Sequence, residues 1–391
     1  MTKSLLVSSA YFPPQTGGIS KFMDSVCSSL GRDEICCLTG VQHENGFRKN
    51  DLQARVYRRP SAFAKEWYTQ APSMATAVLQ ILLRERPNVV QIATTQDGYV
   101  GLWLHRRFGL PYIVYAHGNE ILEAAQSEWD KPKRSLQQAS RVLAVSRFTG
   151  ALVERMGVNP QRIEIFHPGC DVERFQPREP DNELRRRLLG DVGGARILLS
   201  VGNLVSRKGH DMVIRALPRL LRAAGNLRYL IVGEGPYRSE LESLASSLGV
   251  RERVVFAGRM TDDTLPHVYA LCDVFVLASR EQLDTCDVEG FGMVFLEANA
   301  CGKPVVGGRS GGIDDAIVDG ETGFLVEPRE PDSIADAVGR LLANPQLASR
   351  LGEQGRGRVM RDFSWAVVAT RLRGILRQVA QENSPVQTPS V

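Results

Sequence analysis

No apolar run in this chain approaches the roughly 20 residues needed to cross a bilayer, which excludes a helical membrane span. The apolar part of the opening MTKSLLVSSAYFPPQTGG is too short for a signal peptide and reads as a buried strand followed by a loop. None of the seven cysteines forms a C-x-x-C pair. That argues against a disulfide framework and against zinc, and it fits a reducing cytoplasm. The adjacent Cys36 and Cys37 read as strand residues. Gly233-Glu-Gly235 lies between a strand and a helix, but Arg238 stands where a dinucleotide fingerprint has its third glycine. No acidic residue stands convincingly at the next strand end, so this match does not support a dehydrogenase.

What remains is an ordinary globular composition, 43% hydrophobic and 24% charged, long enough at 391 residues for two or three domains. Short apolar strands open with Leu5, Asn88, Tyr112 and Val142, and helical stretches separate them. The pattern restarts after an arginine-rich connection at residues 177–187, with strands opening at Ile197, Tyr229, Val254, Val274 and Pro304. Such alternation predicts a parallel sheet covered on both faces in each half. Two α/β halves joined by a hinge imply a cleft at the strand C-termini, where ligands are expected. The division is placed at 1–177 and 178–364. A helix follows over 365–382, and 383–391 reads as a disordered tail.

The charge of +4 is concentrated in residues 1–177. Arg58, Arg59 and Lys65 precede Trp67 and Tyr68, and Trp103 is followed by His105, Arg106, Arg107 and Phe108. Such basic and aromatic groupings suit an anionic membrane face, though a solvated basic surface has the same composition. No recognised nucleic-acid-binding motif accompanies the charge, so nucleic acid is not an expected partner.

Two glutamates, Glu289 and Glu297, bracket the run EGFGMVFLE. A loop carrying the first passes through Gly290 and Gly292 into a helix start, and the second lies about two turns along that helix. Unpaired N–H groups at a helix start make an anion site suited to a diphosphate, here at Gly292, Met293 and Val294. Carboxylates beside a phosphate site would point at neutral hydroxyls, such as those of a ribose and a sugar. The same spacing also occurs as a solvated acidic pair beside an ordinary βα turn. Three further places carry chemistry. VGNLVSRKGH is a strand running into a basic loop, in which Arg207 and Lys208 can hold a diphosphate. AHGNE places His117 at a strand end with Glu120 after it, and PPQTGGIS places Gly17 and Gly18 in a strand-to-helix loop.

The stretch DVEGFGMVFLEANACGKPVV, followed by Ser310-Gly-Gly312, closely resembles the donor region of the retaining glycosyltransferases of family 4. Its wording is most similar to bacterial mannosyltransferases that modify phosphatidylinositol. The resemblance runs in order from YFPPQTGGIS to DFSW, nearly the whole chain. It implies a GT-B fold, two Rossmann-like parallel-sheet domains facing across a cleft, with the last helix crossing back onto the N-terminal domain. It implies that Glu289 holds the donor sugar, Glu297 the ribose, and His117 the sugar near the reacting centre, with Glu120 orienting His117 or binding a hydroxyl. Gly17 and Gly18 are placed against the diphosphate and the acceptor, and Arg259 near the base. Where many relatives carry arginine this chain has Asn203, so the phosphate clamp rests on Lys208 with Arg207, or with Asn203 as a neutral donor.

No Asp-x-Asp pattern stands beside the phosphate site, although Asp284 and Asp287 come near it. The expectation is therefore metal-free chemistry with no prosthetic group, and the resemblance implies that it runs by front-face substitution. The leading donor is GDP-mannose, with UDP-glucose as the alternative, and the acceptor is a lipid-linked or envelope glycan. The resemblance implies that the acceptor is met by loops at 42–72 and 94–102. A cytoplasmic enzyme, peripheral at the inner face of the membrane, is the location that fits. A sugar-nucleotide epimerase or a non-catalytic sugar-nucleotide-binding protein would share much of this sequence.

Overall fold

The computed structural model describes residues 2–40, 54–58, 67–126 and 130–383, with backbone alone at 67–74, 130–131 and 283. Arg59, Lys65, most of the 42–72 loop, residues 384–391 of the tail and the side chains of Trp67 and Tyr68 lie outside the described set. The chain divides into two units, one of residues up to Gly169 together with the segment from Trp365, the other Cys170–Ser364. The arginine-rich stretch at 177–187 thus lies inside the second unit.

In the first unit, strands β1 (Ser4–Ser8), β2 (Ile35–Thr39), β3 (Arg55–Arg58), β4 (Val89–Ile92), β5 (Tyr112–Ala116), β6 (Arg141–Ala144) and β7 (Ile163–Ile165) form one sheet. Its order is β3-β2-β1-β4-β5-β6-β7, and every pairing is parallel. A parallel sheet is covered on both faces, and β1, β2, β4 and β5 are accordingly buried along their whole length. The one amide in the middle of β4 is satisfied there. Gln91 donates to Ser4 Oγ at 2.7 Å and accepts from the Tyr115 hydroxyl at 2.7 Å.

Strand order reverses between β1 and β4, so the loops after these strands leave in opposite directions and expose their backbone. There the Ser9 N–H donates to Asp97 Oδ2 at 2.9 Å, and burial raises the Asp97 carboxyl to about 6 against the help of that bond. The helix Trp365–Glu382 belongs to this unit through a two-point guanidinium–carboxylate contact, Arg373 to Glu34 at 2.8 and 3.0 Å. The helix Gly98–Phe108 carries His105, Arg106 and Arg107 in its last turn, with Arg107 over the exposed Phe108 ring. Among the described residues no helix is long and apolar enough to cross a membrane.

The second unit repeats the plan with β8 (Arg196–Val201), β9 (Leu227–Val232), β10 (Val254–Phe256), β11 (Val274–Leu277), β12 (Val305–Gly308) and β13 (Gly323–Val326). These strands run parallel in the order β10-β9-β8-β11-β12-β13. Leu198, Ile231, Val276 and Val306 from the strands pack with Leu217 and Val338 from the helices His210–Ala224 and Pro331–Ala343. Here the reversal falls between β8 and β11, and the loops that follow those two strands carry the basic pair and Glu289.

Candidate active site

The loop after β8 is held from two sides. Leu204 N donates to Glu234 O at 2.9 Å and Tyr237 N to Leu204 O at 3.0 Å. The Gly233-Glu-Gly235 turn is therefore a brace for this loop. A short turn, Ser206–Lys208, then ends at Gly209 with φ 69°. A Cβ on Gly209 would lie 1.9 Å from Ala278 O, so only glycine lets this turn press onto the end of β11. Arg280 N completes the contact by donating to Arg207 O at 2.8 Å.

That contact puts both cations against one carboxylate. Lys208 Nζ donates to Glu289 Oε2 at 2.6 Å and Arg207 Nη1 to the same oxygen at 2.8 Å, while Arg207 Nε reaches Asp287 Oδ1 at 2.5 Å. Burial works to raise the Glu289 carboxyl, but Lys208 and then Arg207 outweigh it and hold it down to about 2. Burial likewise opposes the charge on Arg207, and Glu289 and Asp287 more than compensate, so its pKa is raised. Beneath the pair, Arg280 is locked by Asp211 at 3.1 Å and Ser206 Oγ at 3.0 Å, all but removed from solvent.

Glu289 leads through Gly292 into the helix Met293–Ala300, whose start has no side-chain cap and no acidic residue in its first turn. The first-turn N–H groups at Met293 and Val294 have no partner within their own helix, and they carry its positive dipole end. Glu297 is 5% exposed and accepts from the Tyr269 hydroxyl at 2.8 Å. The Asn203 and Arg259 side chains are exposed, and Asn203 O is 3.3 Å from His210 Nε2. His210 is buried, which lowers it to about 4 and keeps it neutral between Asn203 O and the Tyr229 hydroxyl.

In the first unit, His117 Nε2 lies 2.8 Å from Ala93 O. A carbonyl only accepts, so Nε2 carries the hydrogen of this bond. The imidazole stands edge-on to Phe22 at 5.7 Å. Glu120 is buried, which raises its pKa, and it accepts from the His117 backbone N–H at 2.5 Å. Its grip is thus on the chain at His117. Gly17 and Gly18 are exposed where the helix Gly18–Ser29 begins.

Residues 16–174 match the profile described as Glycosyltransferase Family 4, and residues 181–358 match that of Glycosyl transferases group 1. Over 389 residues the chain is 39% identical to a GDP-mannose-dependent alpha-(1-6)-phosphatidylinositol monomannoside mannosyltransferase of Mycobacterium tuberculosis, with 96% of this chain and 98% of the relative covered. The chain belongs to glycosyltransferase family 4. A relative of the same description from Mycolicibacterium smegmatis is 33% identical over 370 residues, covering 93% of this chain and 96% of its own. Among solved structures, sucrose-phosphate synthase from Thermosynechococcus elongatus superposes with a TM-score of 0.80 at 22% identity, over 98% of this chain and 100% of that one. The two parallel sheets are thus those of a GT-B glycosyltransferase.

Within this glycosyltransferase the structure brings Arg207, Lys208 and Glu289 into one hydrogen-bonded cluster and continues it through Gly292, Met293 and Val294. It also adds Asp287, which the sequence offered only as a near miss to a metal motif, and Ser279, which the motif reading passed over. Asp287 is the second acidic partner of Arg207, and the Ser279 hydroxyl lies 3.4 Å from Glu289 Oε2. Both were within reach of the sequence. Ser279 and Arg280 come within three residues of the end of a strand beside the order reversal, and Asp287 stands two residues before Glu289, the alternation that puts neighbours on one side of an extended segment.

Proposed function

We propose that this glycosyltransferase transfers mannose from GDP-mannose to a hydroxyl of a lipid-linked or envelope glycan, with retention and without a metal. The observation that carries this reading is the convergence of Arg207 and Lys208 on Glu289 beside an uncapped helix start. Two cations and a dipole end form an anion site fit to receive the charge that grows on a departing diphosphate. Lys208 is the main phosphate ligand, with Arg207 beside it and Asn203 as a neutral donor. Relatives named as GDP-mannose-dependent mannosyltransferases support the choice of base and sugar.

In the proposed step the bond from the anomeric carbon to the diphosphate oxygen breaks as the acceptor oxygen bonds to that carbon from the same face. The departing phosphate oxygen takes the acceptor's proton. Glu289, released from its cations by the diphosphate, accepts from sugar hydroxyls. His117 supports the positive character of the ring, and Glu120 fixes the chain on which His117 is carried. Glu297 serves the ribose and Arg259 the base, while Gly17 and Gly18 let the diphosphate approach the backbone. The acceptor is met by loops of the first unit, whose basic surface suits a cytoplasmic enzyme peripheral to an anionic leaflet.

The test is calorimetric titration of the purified chain with GDP, UDP, GDP-mannose and UDP-glucose, with a chelator present. Preferential binding of the guanosine ligands is expected, and mannose transfer should survive the chelator. Preference for uridine would overturn the donor. Binding of none by a folded sample would overturn the site.

A further inference from the structure

The loop that carries Asp287 has a second side. Gln282 and Asp287 exchange backbone hydrogen bonds at 2.9 and 3.0 Å, closing residues 283–286 into a small projection. This projection lines a groove of about 730 Å³, a size typical of small-molecule sites. Its other walls come from the segments that follow β11, β12 and β13, so it lies at the C-terminal ends of three adjacent parallel strands. That is the end of such a sheet where ligands bind, displaced here towards the β13 edge and away from the order reversal.

The lining is polar, and its charges balance. Arg280, Arg309 and Arg329 face Glu281, Asp284 and Glu327, with Pro328 beside them among the described lining residues. Much of this charge is already engaged. Arg309 pairs with Asp319 at 3.0 Å, Arg329 donates to Glu281 O at 2.8 Å, and Glu281 Oε1 accepts from Gly311 N at 2.9 Å. A phosphate would meet carboxylates and a cation would meet guanidinium groups, so neither finds a net field. A neutral polyol finds both acceptors and donors in the lining. One group asks for such a ligand. Ser310, one of the lining residues, is 8% exposed, and its buried hydroxyl has no partner among the described residues. A buried hydroxyl left unpaired is costly, and a ligand hydroxyl would relieve it.

We propose that this groove is a saccharide subsite, binding one or two neutral hexose units through their hydroxyl groups. It is separate from the Arg207–Lys208–Glu289 cluster but joined to it by chain. Ser310 precedes the glycines that pack on Glu289, where Gly312 N donates to Glu289 O at 2.8 Å. A glycan held here would lie next to the loop that carries Glu289. The inference stands on the groove itself and not on the choice of donor.

The test is titration of the full-length, isotope-labelled chain with methyl α-D-mannopyranoside and an α-linked mannobiose, observed by NMR with GDP present. Inorganic phosphate and Ser310→Ala and Arg329→Ala variants serve as comparisons. Saccharide is expected to shift the amides around Thr285, Ser310 and Arg329 at millimolar concentration, and each substitution is expected to weaken binding about fivefold. GDP affinity should be unchanged in Arg329→Ala. Arg329 is exposed, so its variant tests the site even if Ser310→Ala fails to fold. Absence of saccharide shifts, shifts that survive both substitutions, or occupation by phosphate in place of saccharide would each overturn the proposal. Failure of GDP to bind the unaltered chain would count against the donor reading and leave the saccharide result standing.

Discussion

Lys208 Nζ stands 2.6 Å from Glu289 Oε2, so the residue proposed to hold phosphate is occupied by the residue proposed to hold sugar. The carboxylate keeps Lys208 and Arg207 close together where two like charges would otherwise separate. A diphosphate must compete with it for them.

Glu289→Gln removes that competitor while keeping a side chain of similar size. GDP should bind several-fold more tightly, and sugar transfer should fall by roughly 100-fold or more, since the sugar's charged partner is gone. Calorimetry with GDP and initial-rate measurements on the same preparation would show the two effects moving in opposite directions. Weaker GDP binding together with normal turnover would remove Glu289 from both roles.

Lys208→Ala should weaken GDP by about 10- to 100-fold, the range of a lost charge-assisted hydrogen bond, and leave guanosine unaffected. The comparison of nucleotide with nucleoside is the informative one. Equal losses for both would mean that the lysine reads no phosphate.

The two units should respond to acid in opposite senses. Glu289 is held at about 2 in the folded protein against an ordinary 4.5. It therefore adds stability above 4.5 that is lost as the pH falls towards 2, on the order of 3 kcal/mol. Asp97 is raised to about 6 from 3.8, so its ionisation costs stability above 6 and the cost vanishes as the pH falls below 3.8. Asp97→Asn keeps an acceptor for Ser9 N and should raise the melting temperature of the first unit at pH 8 but not at pH 3.5. Glu289→Gln should lower that of the second unit at pH 7, with the difference shrinking below pH 4. Scanning calorimetry of both variants across pH checks each sign.

Gly209→Ala would place a methyl group against Ala278 O in a left-handed backbone conformation. The substitution should cost more than about 2 kcal/mol, well beyond an ordinary loop glycine, and displace Arg207 and Lys208 with it. A thermal melt showing a loss under about 0.5 kcal/mol would mean that the turn is free to move off β11.

The alternation of strands and helices was legible because parallel strands are buried on both faces and read as short β-branched runs, as in Val89-Val90 and Val305-Val306. The last helix was legible too, bounded as it is by Ser364 and Glu382. Short edge strands such as Ile163–Ile165 are half-exposed and carry no comparable signature. At the site, Arg207, Lys208 and Glu289 could be proposed together from their motifs. Their direct pairing could not, because it depends on two loops that meet only after the strand order reverses. Asp287 was noted as a near miss to a metal motif. Its partner turned out to be an arginine 80 positions away, a separation that no local pattern encodes.

Position 289 is read twice by the rest of the molecule. Its side chain meets the cations, while its carbonyl oxygen receives Gly312 N and leaves only 2.3 Å for a Cβ on Gly311. Every amino acid has that carbonyl, so a substitution at 289 keeps the backbone contacts with Gly311 and Gly312 while removing the carboxylate that Arg207 and Lys208 share. Drift at codon 289 would thus spare the path of the loop and still lower the stability of its unit, so a lesion here would reduce the amount of folded protein as well as change its chemistry.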